Sequence, residues 1–250
     1  MEQKVKRQVN VRYITELGLF IGVILLMKLT GLSSIPVGPL VMTFTMIPIA
    51  VGAMLLGPLA GTILGAFYGL LSLYDAITGK SLMTAAFFAV SPFMTVLLCI
   101  GTRALVGYLT GLLFRVFQKI DRHRIWSYFA GGLLAPMLNT ICFMGFIVLF
   151  FYHTEFVQNL AAKKGAVNPL MFVVLVVGVQ GLIEWATGLV IGGGVAKGVA
   201  IALKRYEPIP FFKPVVSSTT ETAEEFIDTL SNAVSKPVGE TAQPENSKEE

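Results

Sequence analysis

Charged residues are scarce in this chain, and their scarcity excludes an ordinary soluble domain. Asp, Glu, Lys and Arg make up 14% of the 250 residues, against about 25% in typical soluble domains. Hydrophobic residues make up 54%, and the mean hydropathy is +0.73. We therefore expect a single membrane domain, with polar segments only at the two ends of the chain.

The sequence also lacks the spacings of a catalytic or metal site. Cys99 and Cys142 lie in separate apolar runs and read as small core residues, while His123 and His153 have no partner at ligand spacing. No H-E-x-x-H, G-x-S-x-G or P-loop lysine motif is present. We predict no enzyme activity, no metal and no cofactor, so that ATP-driven transport would need another chain as its motor.

Residues 46–71 are free of charge and carry a glycine at every fourth position: Gly57, Gly61, Gly65 and Gly69. On an α-helix this spacing places the four glycines in one row along one face. Glycine costs roughly 1 kcal/mol in a soluble helix, whereas in a bilayer small residues let two helix backbones approach closely. The segment therefore predicts a membrane hairpin broken at Gly57-Pro58, with both arms long enough to cross a bilayer.

Apolar length predicts six membrane spans, and hence an all-α six-transmembrane-helix bundle. The fourth run is too long for one straight crossing, so Pro92 is expected to kink it or split off an outer segment. Residues 1–12 are a basic N-terminus, 13–205 the membrane domain, and 206–250 a polar tail predicted to be disordered. The predicted spans are 13–29, 40–56, 59–74, 82–114, 125–152 and 169–196.

Lysine and arginine predict the orientation of these spans. With a cytoplasmic N-terminus, the outer loops carry Lys28, Lys80, Lys163 and Lys164. The inner segments carry Lys4, Lys6, Arg7, Arg12, Arg115, Lys119, Arg122, Arg124, Lys197, Lys204, Arg205 and Lys213. Both termini are therefore predicted to face the cytoplasm of a multi-pass protein of the cell membrane.

Two charges, Arg103 and Glu184, lie well inside apolar spans, where an ionised group is expensive and faces the bundle interior. Measured along the helix axis from the predicted inner ends of their spans, Arg103 and Glu184 both lie about 18–20 Å toward the outside. Asn139 lies at a similar depth. Gln180 and Thr95 lie further outward on the same spans. Two interpretations stay open: an ion pair that locks two helices together, or the floor of a pocket for a small polar solute.

One stretch, PVGPLVMTFTMIPIAVGAMLLGPLAGTILGAFYGLLSL, resembles the second and third helices of the substrate-binding S component of energy-coupling factor (ECF) vitamin transporters. Weaker similarity is found in TRALVGYLTGLLF, in APMLNT and in the Glu-bearing sixth helix. The resemblance covers about residues 10–205. It implies a six-helix bundle that captures a vitamin from outside and associates with a membrane T component and two cytoplasmic ATPases.

The resemblance also implies where the sites lie. The substrate pocket would occupy the outer half of the bundle, closed by the loop 30–39, with lining residues Thr95, Asn139, Gln180 and Glu184; the charges themselves suggest Arg103 at its floor. Family members dock the T component through small residues on helix 1, often Ala-x-x-x-Ala, and this chain has Gly18 and Gly22 at the matching place.

The outer lysines favour an anionic solute, for which we expect pantothenate first and folate second. Two other functions remain open. One is an autonomous proton-coupled secondary transporter that uses Glu184, against which the lack of an obvious inverted repeat counts. The other is a membrane scaffold without a ligand, against which the polar layer counts.

We predict that a cysteine placed at Thr78 is labelled from outside intact cells, whereas one placed at Ser217 is not, because the basic asymmetry puts the two on opposite sides. Labelling by a membrane-impermeant maleimide measures this. Labelling of both positions, or of Ser217 alone, contradicts the topology.

Overall fold

The computed structural model describes residues 7–9, 11–31, 34–37, 40–121, 125–203 and 212–214. Most of the predicted tail 206–250 and of the basic N-terminus 1–12, the segment 122–124 and parts of the loop 30–39 lie outside these residues. The described chain is predominantly helical. Its α-helices are α1 Val11–Leu29, α2 Met46–Leu56, α3 Pro58–Ile77, α4 Leu82–Val90, α5 Pro92–Val96, α6 Thr102–Ile120, α7 Trp126–Phe150, α8 Glu155–Lys164, α9 Pro169–Thr187 and α10 Gly193–Ala202.

Two short antiparallel strand pairs accompany the helices. Strands β1 (Arg7–Val9) and β4 (Phe212–Pro214) pair within a compact unit of their own. Strands β2 (Ser34–Val37) and β3 (Leu40–Thr43) form the second pair. Valine, isoleucine and threonine, which favour strands, are frequent in β2 and β3.

The β2–β3 pair corrects the predicted second span. Residues 40–43 form a strand, and α2 begins only at Met46. With 11 residues, α2 is about 16 Å long, which is shorter than the apolar core of a bilayer. The first arm of the hairpin predicted to break at Gly57-Pro58 is therefore too short to cross as a straight helix.

The glycine row packs as predicted. Helix α3 lies along α6, and a Cβ atom added to Gly69 would come within 2.6 Å of the Cys99 carbonyl oxygen. Added Cβ atoms on Gly61 and Gly65 would collide with the backbones of Gly107 and Arg103. The backbone of α3 is thus in contact with residues 99–107 over about two helical turns, which places the Tyr68 face of α3 beside the Arg103 face of α6.

The predicted break at Pro92 is also found. Helix α4 ends at Val90, Ser91 has extended backbone angles, and α5 starts at Pro92. A π-helical turn, Leu97–Gly101, then joins α5 to α6. Together these elements form the long helical span Pro92–Ile120.

The sixth span is more broken than its apolar length predicts. Helix α9 is interrupted at Gly178, whose φ of +41° and ψ of −137° suit glycine because a Cβ atom would be strained there. The part before this break, Pro169–Gly178, is bent by 72° relative to α8, a helix that the sequence did not predict. Beyond it, Gln180–Ala202 is one long helix that contains a π-helical turn, Gly188–Gly192.

Four helices of the described residues are long and apolar enough to cross a membrane: Pro58–Ile77, Pro92–Ile120, Trp126–Phe150 and Gln180–Ala202. The bent pair of α8 and Pro169–Gly178 would make a fifth span. Helix α1 carries Arg12, Glu16 and Lys28 and is not among them, and α2 is too short. The described residues are those of an α-helical membrane protein with four to five candidate spans, where the sequence predicted six.

We predict that Gly65→Ala destabilises the detergent-purified protein by about 1–3 kcal/mol, because the added methyl group forces the α3 and α6 backbones apart. Gly145→Ala on α7 is the matched control, since its Cβ would meet no atom within 4 Å. The midpoint of thermal unfolding measures both. Equal midpoints for the two variants would contradict the role given to the α3–α6 contact.

Candidate functional site

A cavity of about 300 Å³ lies among the helices near one end of α3. Its walls come from α1, α3, α4, α6, α7 and α9, and its lining is mixed in polarity. The lining residues are Lys28, Tyr68, Ser72, Asp75, Lys80, Ser81, Met83, Thr84, Arg103, Asn139, Thr140, Phe143, Met144, Val177, Gln180, Gly181 and Glu184.

Four of the five predicted site residues meet at this cavity: Arg103, Asn139, Gln180 and Glu184. Thr95 does not line it. The Thr95 side chain is fully buried, and its hydroxyl donates to the Ser91 carbonyl oxygen at 2.9 Å. The prediction counted back from Arg103 along an unbroken α-helix, whereas the π-helical turn Leu97–Gly101 lies between the two residues.

The Arg103 side chain is held by contacts on several sides. Its guanidinium lies 4.8 Å from the centre of the Tyr68 ring and 5.1 Å from that of Phe143. One amino group, Nη1, donates to the Cys99 carbonyl oxygen at 3.3 Å. Aromatic faces stabilise a desolvated cation by about 2 kcal/mol or more. The two rings therefore hold the charge in an orientation fixed before any ligand arrives.

The ion pair between Arg103 and Glu184, one of the two interpretations that the sequence left open, is not found in the described residues. Within the described chain, no oxygen of Glu184 lies within 4 Å of the guanidinium. Glu184 is buried and instead accepts a hydrogen bond from Gln180 Nε2 at 3.4 Å. The two charges share a cavity because their depths match, but the rings and the Cys99 carbonyl group determine where the guanidinium points.

An ion pair that the sequence analysis missed lies at the same cavity. Lys28 Nζ contacts Asp75 Oδ2, which joins the end of α1 to the end of α3. Both residues line the cavity, and both side chains are largely buried. The sequence shows the two only as charges at the ends of separate apolar runs. Their opposite charges at the outer ends of the first and third predicted spans could have indicated the pair, but the two residues are 47 positions apart in the sequence.

Three buried polar atoms of the lining have no hydrogen-bond partner among the described residues: Asp75 Oδ1, Arg103 Nε and Asn139 Oδ1. A buried polar group without a partner costs about 1–3 kcal/mol, and native structures contain few of them. Three such atoms at one cavity make it a candidate site for a ligand with complementary donors and acceptors.

The predicted docking residues lie away from the cavity. Gly18 and Gly22 are on α1, and a Cβ atom added at either would meet no atom within 4 Å. The surface of α1 at these two glycines is therefore not covered by other described residues. Docking itself stays a prediction.

A comparison with protein families matches residues 12–192 to the family described as ECF transporter, substrate-specific component. The match covers well over half of the chain. The protein belongs to this family. Its resemblance to S components, inferred above from the glycine-rich second and third helices, is thereby confirmed. No curated protein matches the chain.

An S component is the substrate-binding subunit of an ECF importer, a membrane transport protein and not an enzyme. In this S component the cavity next to Arg103 is the candidate site for the substrate. It combines a fixed cation, two carboxylates and two carboxamides within one bundle. Such a set binds a polar solute through directed hydrogen bonds.

We predict that Asn139→Ala weakens binding of pantothenate, our probe for this S component, with little change in thermal stability, because the amide oxygen has no protein partner to lose. Thr95→Val is the control, since Thr95 lies outside the cavity. A thermal-shift titration measures both affinity and stability. Unchanged affinity in Asn139→Ala, or a loss as large in Thr95→Val, would contradict this site.

Proposed function

We propose that this S component captures pantothenate from outside the cell for an ATP-driven importer. The observation that carries the proposal is the charge of the cavity. Three cationic side chains, Lys28, Lys80 and Arg103, face two carboxylates, Asp75 and Glu184. The net charge of these five side chains is positive, which favours an anionic solute.

The size of the cavity supports pantothenate over folate. At about 300 Å³ it lies at the lower end of the range of ligand pockets, roughly 300–1,000 Å³, and folate is much the larger of the two vitamins. The amide and hydroxyl groups of pantothenate would match Asn139, Gln180 and the hydroxyl side chains Ser72 and Thr84.

We propose six crossings with both termini in the cytoplasm, in which residues 40–56, strand β3 followed by the short helix α2, make the second crossing. Helix α1 has 19 residues, about 28 Å, close to the thickness of the apolar core. Its charges lie near its ends and have partners: Arg12 contacts Glu16 at 2.9 Å, and Lys28 contacts Asp75. Paired charges at the ends of a helix are compatible with a span.

The energy for uptake would come from partner chains, since the sequence holds no nucleotide-binding motif. We infer a membrane T component and two cytoplasmic ATPase subunits, with Gly18 and Gly22 as the surface that meets the T component. Small residues there would allow close helix contact.

A second candidate is a proton-coupled secondary transporter that works alone. The observation in its favour is Glu184, a buried carboxyl group at the cavity with a hydrogen bond from Gln180. Such a group is common in proton relays within membranes. Purification from native membranes separates the two functions, because only an S component should bring ATPase subunits with it.

We predict that the double variant Gly18→Leu, Gly22→Leu binds pantothenate as the wild type does, yet loses uptake and no longer co-purifies with ATPase subunits. Leucine at both positions would hold the partner helix away. Gly145→Leu is the control, because Gly145 lies on α7 with equally open surroundings.

Uptake of labelled pantothenate in cells, with pull-down from their membranes, measures this. Unchanged uptake in the double variant would show that α1 is not the docking surface. Uptake by a wild type that brings no ATPase subunit would favour the secondary transporter. A wild type that neither binds nor takes up pantothenate would refute the substrate.

A further inference from the structure

The two carboxylate oxygens of Asp75 have different surroundings. Oδ2 forms the ion pair with Lys28. Oδ1 is buried and has no hydrogen-bond partner among the described residues, although Asp75 lines the cavity. The ion pair is itself shielded, since 19% of the Lys28 side chain and 15% of the Asp75 side chain are exposed.

Lys28 makes a carboxylate tolerable at this place. An isolated buried carboxylate is far more costly than a paired one. The ammonium group offsets the charge through one oxygen and leaves the other without a partner. A carboxylate paired in this way is an acceptor only, so whatever meets Oδ1 has to donate a hydrogen bond.

Deeper in the cavity, by contrast, the ligand has to accept a hydrogen bond. Arg103 Nε is a donor without a partner among the described residues, and its guanidinium lies against the Tyr68 ring. Tyr68 precedes Asp75 by seven positions on α3, two helical turns or about 10 Å along the axis. The cavity therefore presents a cationic donor at one depth and an anionic acceptor about two turns away.

We propose that Asp75 is a specificity-determining residue that accepts a hydrogen bond from a hydroxyl or amino group of the substrate. The substrate class is then an elongated solute with an anionic group that meets Arg103 and a separate hydrogen-bond donor that meets Asp75. This inference rests on the proposed function of the cavity as the substrate site. It does not depend on pantothenate being the substrate.

The competing account is that Asp75 serves only to tie α3 to α1 through Lys28. The two accounts differ on one point. If the ion pair is all that matters, the acceptor oxygen is irrelevant once the pair has been removed. If Asp75 contacts the substrate, an oxygen at this position still matters after both charges are gone.

The test compares two neutral double variants, Lys28→Met with Asp75→Asn and Lys28→Met with Asp75→Leu. Both lack the ion pair, and asparagine and leucine are similar in size, but only asparagine keeps an acceptor oxygen. The probes are pantothenate and an analogue in which both hydroxyl groups are replaced by hydrogen. Binding is measured by titration calorimetry on the detergent-purified proteins.

We expect pantothenate to bind the asparagine variant about tenfold more tightly than the leucine variant, the effect of one buried hydrogen bond. The analogue should bind the two variants equally. A purely structural role would not make the difference depend on the hydroxyl groups. Equal affinity of pantothenate for the two variants, or the same difference for the analogue, overturns the assignment of Asp75.

Mass spectrometry of the solute retained by the wild-type protein tests the substrate class separately. A retained solute with an anionic group and a hydroxyl or amino donor supports the proposed substrate class. If that solute is not pantothenate, only the choice of pantothenate as the substrate is refuted. A solute that lacks either group overturns the inference and leaves the transport function standing. If no solute is retained and pantothenate does not bind, the proposed function fails and the inference with it.

Discussion

The contact between α3 and α6 is the constraint on which the site depends. Gly61, Gly65 and Gly69 bring the α3 backbone against the backbone of α6, and in lipid this close packing substitutes for the hydrophobic effect that drives helices together in water. One consequence is geometric. Tyr68 on one helix and Arg103 on the other come close enough for the ring to cover the guanidinium.

A second consequence is energetic. A charge inside an apolar bundle is expensive, and here Arg103 and Glu184 do not form an ion pair with each other. Two rings and one backbone carbonyl group hold Arg103, and Gln180 holds Glu184. Since neither charge neutralises the other directly, the cavity keeps polar groups that a substrate can use. A tight ion pair would have left less for the ligand to bind.

The sequence predicted the site by depth and failed where register or tertiary contact decided. Arg103, Asn139 and Glu184 were found because charges and amides in apolar spans are rare. Thr95 lies outside the cavity and is fully buried, and a hydropathy pattern does not distinguish such a position from one in the lining. The ion pair of Lys28 with Asp75 was missed because it joins distant helices. The strands at Ser34–Val37 and Leu40–Thr43 were missed because a run of apolar residues is compatible with either structure.

The two π-helical turns bear on which changes the chain can survive over evolution. Leu97–Gly101 comes just before Arg103, and Gly188–Gly192 follows Glu184 closely. A π-helical turn takes up one residue more than an α-helical turn. Removing one residue within either turn would therefore restore the α-helix with nearly the same faces toward the bundle, whereas a deletion in the α-helical part would rotate the flanking segments relative to each other by about 100°. We therefore expect a change of length at these two turns to disturb the packing less than one elsewhere in the two helices.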